Sequence, residues 1–87
     1  MYEIIFDEEA IHFLQKLEKP LRERIFKKIL QTKENPFHFF EHLKERSDYK
    51  LRVGDYRAIA DIDQSTKKIR ITFIGHRKNV YDKILFV

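Results

Sequence analysis

The sequence predicts an α+β fold in the order βααβββ, an antiparallel sheet packed on an N-terminal two-helix hairpin. Three observations predict it. Apolar residues recur at helical spacing through the first third of the chain, and from Tyr49 the period changes to two. Turn residues at Gly54-Asp55 and at Asp63-Gln64-Ser65-Thr66-Lys67 then divide the second half into three runs of strand length.

The first strand is the β-branched and aromatic run Tyr2 to Phe6, stopped by Asp7. Asp7 is of the type that caps a helix, and Glu8 and Glu9 suit the positive end of its dipole. Ile11, Leu14 and Leu17 give that helix its apolar side, and Pro20 stands where a second helix begins. Leu21, Ile25 and Ile29, joined by Phe26 and Leu30, form the stripe of the second helix, while Arg22, Glu23, Arg24, Lys27 and Lys28 face water. Asn35-Pro36 is expected to end it, because the residue before a proline is pushed out of helical backbone. The segment with Phe37, Phe39, Phe40 and Leu43 shows no regular period and reads as a lid over the core edge. Tyr49, Leu51 and Val53 then alternate with Lys50 and Arg52, and the runs Tyr56 to Ile62 and Lys68 to Ile74 complete the sheet. Val80, Tyr81, Ile84 and Leu85 have helical spacing but fit a closing strand equally.

A chain of 87 residues, 43% hydrophobic and 14% aromatic, predicts a single domain over residues 1–87 with one modest core. The absence of cysteine excludes a disulfide framework, and no apolar run reaches the roughly 20 residues of a bilayer span. The N-terminus lacks the basic and apolar regions of a signal peptide, so a cytoplasmic protein with no membrane partner is expected. The charged fraction of 37%, rich in Lys and Glu with a single Met, has the flavour of a heat-adapted protein.

Charge is unevenly placed. Residues 1–47 carry nine Lys/Arg and nine Asp/Glu, whereas residues 48–87 carry nine and five, so the whole net charge of +4 belongs to the second half. Such asymmetry points to a polyanion or an acidic partner rather than to a merely solvated surface. With Gly54-Asp55 as a two-residue loop, Val53 lies opposite Tyr56, Arg52 opposite Arg57, Leu51 opposite Ala58 and Lys50 opposite Ile59. One face is then apolar and meets the helices, and the other presents Lys50, Arg52 and Arg57. Like charges directly opposite destabilise a sheet, so an arginine pair suggests an anion between them. Gly75-His76-Arg77-Lys78-Asn79-Val80-Tyr81 is expected to release the last strand at Gly75 and add a guanidinium, an imidazole and a phenol to the same edge. Guanidinium forks suit phosphate oxygens and can stabilise the charge of a phosphorane. His76 titrates in a useful range but, beside two cations, favours its neutral form and suits stacking on a base.

One motif is set aside. His38-Phe39-Phe40-Glu41-His42 spells H-x-x-E-H, an inverted zinc-peptidase pattern, yet it follows a helix-ending proline in a chain too short to supply a third ligand and a cleft. No metal is expected. His12, beside the first helix's apolar stripe, is a surface residue.

The segments Tyr49-Lys50-Leu51-Arg52-Val53-Gly54-Asp55-Tyr56-Arg57-Ala58-Ile59 and Ile74-Gly75-His76-Arg77-Lys78-Asn79-Val80-Tyr81 resemble the signatures of the RelE/ParE superfamily of toxin–antitoxin toxins, in its RelE branch. The resemblance covers essentially the whole chain and implies a RelE-like microbial RNase fold. It further implies a ribosome-dependent endoribonuclease that cleaves messenger RNA by attack of the RNA's own 2′-hydroxyl, with no metal or cofactor. Arg57 resembles the sheet arginine that holds the scissile phosphate, Arg77 the arginine after the last strand and Tyr81 the C-terminal tyrosine. Lys50 and Arg52 resemble the basic pair of the preceding strand, without showing which is the general base. RNA contacts are expected from Lys50, Arg52, Arg57, His76, Arg77 and Lys78. The implied partners are a RelB-like antitoxin, the ribosome and messenger RNA. Two alternatives share the fold: a ParE-like toxin that binds DNA gyrase without nuclease activity, and a non-catalytic RNA-binding domain.

Overall fold

The computed structural model describes residues 1–80. Its elements are β1 (Glu3–Phe6), α1 (Glu8–Lys16), α2 (Lys19–Gln31), α3 (Pro36–Phe39), β2 (Glu41–His42), β3 (Tyr49–Val53), β4 (Tyr56–Asp63) and β5 (Lys68–His76). The α+β class and the βααβββ backbone of the order hold, with a short helix and a two-residue strand added in the segment that showed no period. The sheet order is β1-β5-β4-β3-β2. One pair departs from the all-antiparallel expectation: β1 runs parallel to β5, with Ile4 beside Ile69 and Phe6 beside Ile71. The helices and hairpins between them are long enough for such a crossover.

The apolar side of α1 is Ala10, Phe13, Leu14 and Leu17, the i, i+3, i+4, i+7 set, of which Ala10 and Leu14 are buried. Ile11, expected on the stripe, is 41% exposed, because Ala10 rather than Ile11 starts the inward row. Asp7 stands at the N-cap position without a capping hydrogen bond from its side chain, and its carboxylate lies 3.8 Å from Arg70 Nε instead. α1 packs chiefly on β5 and α2 on β3.

In α2, Ile25 and Ile29 are buried and Leu21 is partly so. Phe26 and Leu30 fall outside the core, although Phe26 stacks on Phe6 with ring centroids 5.8 Å apart. The helix ends earlier than Asn35-Pro36, at Gln31, where the Thr32 hydroxyl donates to the Ile29 carbonyl at 2.6 Å. Pro36 starts α3 in place of ending α2. The expected lid is partly formed: Phe40 is buried, Phe39 packs against the core, and Phe37 remains exposed with its ring edge-on to Tyr49.

Between helices and sheet lie Ile25, Ile29, Leu51, Ile69, Ile71 and Ile74, all under 2% exposed. Each such burial stabilises the fold by about 1.5–3 kcal/mol. Among the described residues no helix is long and apolar enough to cross a membrane.

Candidate nucleic-acid interface

The site is built on the β3–β4 hairpin. Gly54 at φ +60° permits the tight reversal, and the register that follows pairs Val53 with Tyr56, Arg52 with Arg57, Leu51 with Ala58 and Lys50 with Ile59, as the two-residue loop predicts. Tyr56 packs near Phe13 on the helix side, so the alternate residues Arg57, Arg52 and Lys50 belong to the other face.

Arg57 and Arg52 occupy facing positions but different environments. Arg52 is exposed, with its Nε 3.9 Å from a Glu41 carboxylate oxygen. Arg57 is only 7% exposed: its Nη1 donates to the carbonyls of Gly54 and Tyr56, each at 2.8 Å, so the guanidinium braces the turn that precedes it. Its Nε is buried and has no hydrogen-bond partner among the described residues. An unmatched buried donor of this kind costs about 1–3 kcal/mol, so it calls for an acceptor.

On the far side of Arg57, β5 places Gly75 in register. A Cβ there would come within 3.0 Å of the Phe73 ring and 3.2 Å of Val80, which close over the glycine. The strand is not released at Gly75 but continues to His76. That extra residue corrects the expected placement of the imidazole. His76 pairs with Tyr56, on the helix side of the alternation, with ring centroids 5.4 Å apart, and its Nδ1 accepts a hydrogen bond from the Lys78 N–H at 3.3 Å. His76 therefore does not share the face of Arg57.

Arg77 does reach the hairpin. Its N–H donates to the Asp55 carbonyl at 2.8 Å, and its exposed guanidinium lies 3.9 Å from the Asp55 carboxylate. Residues 77–80 begin a helical turn from that anchor, with Lys78 exposed. Three arginines, Arg52, Arg57 and Arg77, thus gather around one turn. Lys50 is half-buried two pairs further along, in register with Glu41 of β2. Tyr81 lies outside the described residues.

Two neighbours escaped the sequence reading. Glu41 becomes a partner of the basic strand only through β2, a pairing too short to leave a periodic signal. Arg24, assigned to solvent on α2, reaches over the turn, its Nη2 2.9 Å from where a Cβ of Gly54 would stand. The H-x-x-E-H residues split between elements: the His38 ring packs edge-on against Phe39 and His42 against Tyr49.

The other end of the open face is differently composed. Arg70 lies in register with Asp61, and Lys68 with Asp63 on β4 and Glu3 on β1. Asp63 is also the anchor of the β4–β5 turn. Its carboxylate accepts from the Ser65 hydroxyl at 2.7 Å and from the Ser65 and Thr66 N–H groups, which holds its pKa below the ordinary carboxylate value.

Comparison with solved structures finds the same architecture in toxins. A toxin–antitoxin complex from Mycobacterium tuberculosis, RelBE2, contains a chain that matches with a TM-score of 0.80 at 22% identity, over 87% of this chain and 98% of that one. The intact RelBE complex of E. coli matches with a TM-score of 0.73 at 26% identity, over 87% and 96% of the two chains. The archaeal RelE–RelB complex of Pyrococcus horikoshii OT3 matches with a TM-score of 0.76 at 24% identity, over 87% and 94%. No curated protein sequence matches the chain. The family model for the ParE toxin of type II toxin–antitoxin systems spans residues 4–81, and by that match the chain belongs to this family, as a RelE/ParE superfamily toxin with a RelE-like fold.

Proposed function

We propose that this toxin is an endoribonuclease of the RelE kind, cutting messenger RNA on the ribosome with no metal or cofactor. The observation that carries it is the cluster of Arg52, Arg57 and Arg77 around one hairpin turn, with a buried Arg57 Nε that lacks an acceptor among the described residues. Nη1 of Arg57 is fixed by the turn carbonyls and Nε is buried, leaving Nη2 of the same guanidinium to take a nonbridging phosphate oxygen. Arg52 and Arg77, exposed on either side, supply further charge where the phosphorane develops.

In the proposed reaction the RNA 2′-oxygen bonds to the adjacent phosphorus and the bond to the 5′-oxygen breaks. The 2′-hydroxyl proton leaves to a base and another proton goes to the departing 5′-oxygen. Lys50, Arg52 and Tyr81 are the candidates for these transfers, and Lys78 for contacts to the RNA backbone. His76 belongs to the hairpin's aromatic packing rather than to the phosphate site, though its exposed edge can stack on a base. A RelB-like antitoxin, of the sort bound to the similar toxins, is the proposed controlling partner, and the cytoplasm the proposed site of action.

The family model favours a second reading, since it is that of ParE. A ParE-like toxin would bind DNA gyrase and cleave nothing. Primer extension on a message translated in a cell-free system, run beside a gyrase supercoiling assay, separates the two. Cuts within codons that disappear with Arg77→Ala support the nuclease. Uncut messages together with inhibited supercoiling would replace it with the gyrase reading.

A further inference from the structure

A fourth arginine reaches the turn that carries the arginine site, and it comes from the helix layer. Arg24 stands on α2 next to the fully buried Ile25, so its backbone is fixed by the core. Its guanidinium occupies the space that a side chain at position 54 would need. Nη2 lies 2.9 Å, and Cζ and Nη1 each 3.4 Å, from where a Cβ of Gly54 would stand. Glycine is therefore required twice at this position, for its φ of +60° and for the bare backbone on which Arg24 seats. Among the described residues no carboxylate draws Arg24 there, and Lys27, Lys28 and Arg52 line the same groove, so the seat is held against neighbouring positive charge.

The turn is thus held from two sides. α2 packs on the helix side of β3, and Arg24 meets Gly54 from that side. Arg57 belongs to the open face, and its Nη1 donates to the Gly54 and Tyr56 carbonyls. Arg77 hangs on the same turn through its N–H, which donates to the Asp55 carbonyl at 2.8 Å. Two arginines of the site take their position from Gly54 and Asp55, both of which are exposed.

We propose that Arg24 is a positioning residue for the arginine site: seated on Gly54, it fixes the turn that sets Arg57 and Arg77, without touching RNA itself. The layer it comes from favours this over a direct contact, since α2 lies behind the sheet face on which Arg57 stands. Lysine is no substitute, because a hydrated ammonium on a flexible stem lacks the flat, weakly hydrated group that seats on bare backbone. The effect on rate rests on the nuclease reading; the hold on the turn does not.

The test compares the full-length wild type with R24A and R24K. Amide hydrogen exchange is read first, in the free protein. The Arg77 N–H should exchange about tenfold faster in both variants, as a locally loosened turn allows. Ile62 and Ile69, paired in the β4–β5 ladder away from the turn, should keep their protection, which establishes that the variants remain folded. Message cleavage in ribosome complexes is then followed at increasing toxin concentration. The rate at saturation should fall about tenfold in both variants, within the about 100-fold that a misplacement of about 1 Å can cost. The half-saturating concentration should stay unchanged, and the slope of log affinity against log salt should move by much less than the about 0.7–0.9 of a lost phosphate contact. Unchanged Arg77 exchange, or full recovery in R24K, would overturn the proposal. So would a raised half-saturating concentration with a flattened salt slope, which would make Arg24 an RNA contact. A wild type that cuts no message, while Arg77 exchange responds to R24A as expected, would remove the nuclease reading and leave the hold of Arg24 on the turn standing.

Discussion

The two ends of the open sheet face are built from the same residue types and differ in how these are paired. Toward the β4–β5 turn, the two cations of β5 have acids in register: Arg70 with Asp61, Lys68 with Asp63 and Glu3. Toward the β3–β4 turn, Arg52 faces Arg57, and Arg57 faces Gly75. The carboxylates nearest this end, Glu41 and Asp55, stand 3.9 Å from Arg52 and Arg77 at the exposed rim, where ion pairs contribute little. Cations that face acids across strands support the sheet, whereas those that face one another or a glycine are the ones we propose to serve RNA.

The largest effect expected from this contrast is on catalysis. Arg57→Ala removes the fork at the hairpin end and should lower message cleavage by about 100- to 1,000-fold, as the loss of a preorganised donor does. It should also destabilise the fold by about 1–2 kcal/mol, because Nη1 braces the Gly54 and Tyr56 carbonyls. Arg70→Ala, at the neutral end, should leave cleavage unchanged. Cleavage rates normalised to folded protein, with stability from urea denaturation, check both. Equal losses in the two variants would erase the distinction between the ends.

A smaller effect is expected on the salt dependence of RNA binding. Arg52→Ala and Arg77→Ala should each reduce the slope of log affinity against log salt by about 0.7–0.9. Lys68→Ala and Arg70→Ala should leave it nearly unchanged, since acids stand in register with both positions and Arg70 lies 3.8 Å from Asp7. Affinity titrations across a salt series measure this directly. Smaller again, Glu41→Gln should raise RNA affinity by about two- to fivefold, the range of an exposed ion pair.

Much of this contrast was legible in the chain. Gly54-Asp55 fixed a two-residue loop, and the loop set the register, so Arg52 and Arg57 could be placed opposite one another from the sequence. The change of period at Tyr49 separated the helical from the strand half. What could not be read was the depth of a side chain. Arg57 reads as a surface arginine, yet it is buried because Gly54 and Tyr56 offer it carbonyls and β5 brings a glycine alongside. The side of His76 depended on whether β5 stopped at Gly75 or ran one residue on, and a one-residue difference in strand alternation moves a side chain to the other face. β1 beside β5 and β2 beside β3 arise from long-range pairing that no local period announces.

The smallest effect concerns the neutral end alone. The pKa of Asp63 is lowered in the folded state by the Ser65 hydroxyl and the neighbouring N–H donors, so its contribution to stability is present above the ordinary carboxylate pKa and is lost as pH falls through the lowered value. Asp63→Asn should flatten that acid limb in thermal denaturation followed by circular dichroism, while RNA binding at neutral pH stays unchanged. A loss of RNA binding with Asp63→Asn would show that the two ends do not act separately.

The central proposal is that the arginine end of the face works on RNA through the 2′-hydroxyl of the substrate. The most direct measurement compares messages that differ only by a 2′-O-methyl group at the cut site, in ribosome complexes assembled beforehand with magnesium retained. The account predicts that the methylated message is bound with nearly the affinity of the unmodified one and is not cut at that position. Cleavage of the methylated sugar at the normal rate would contradict it.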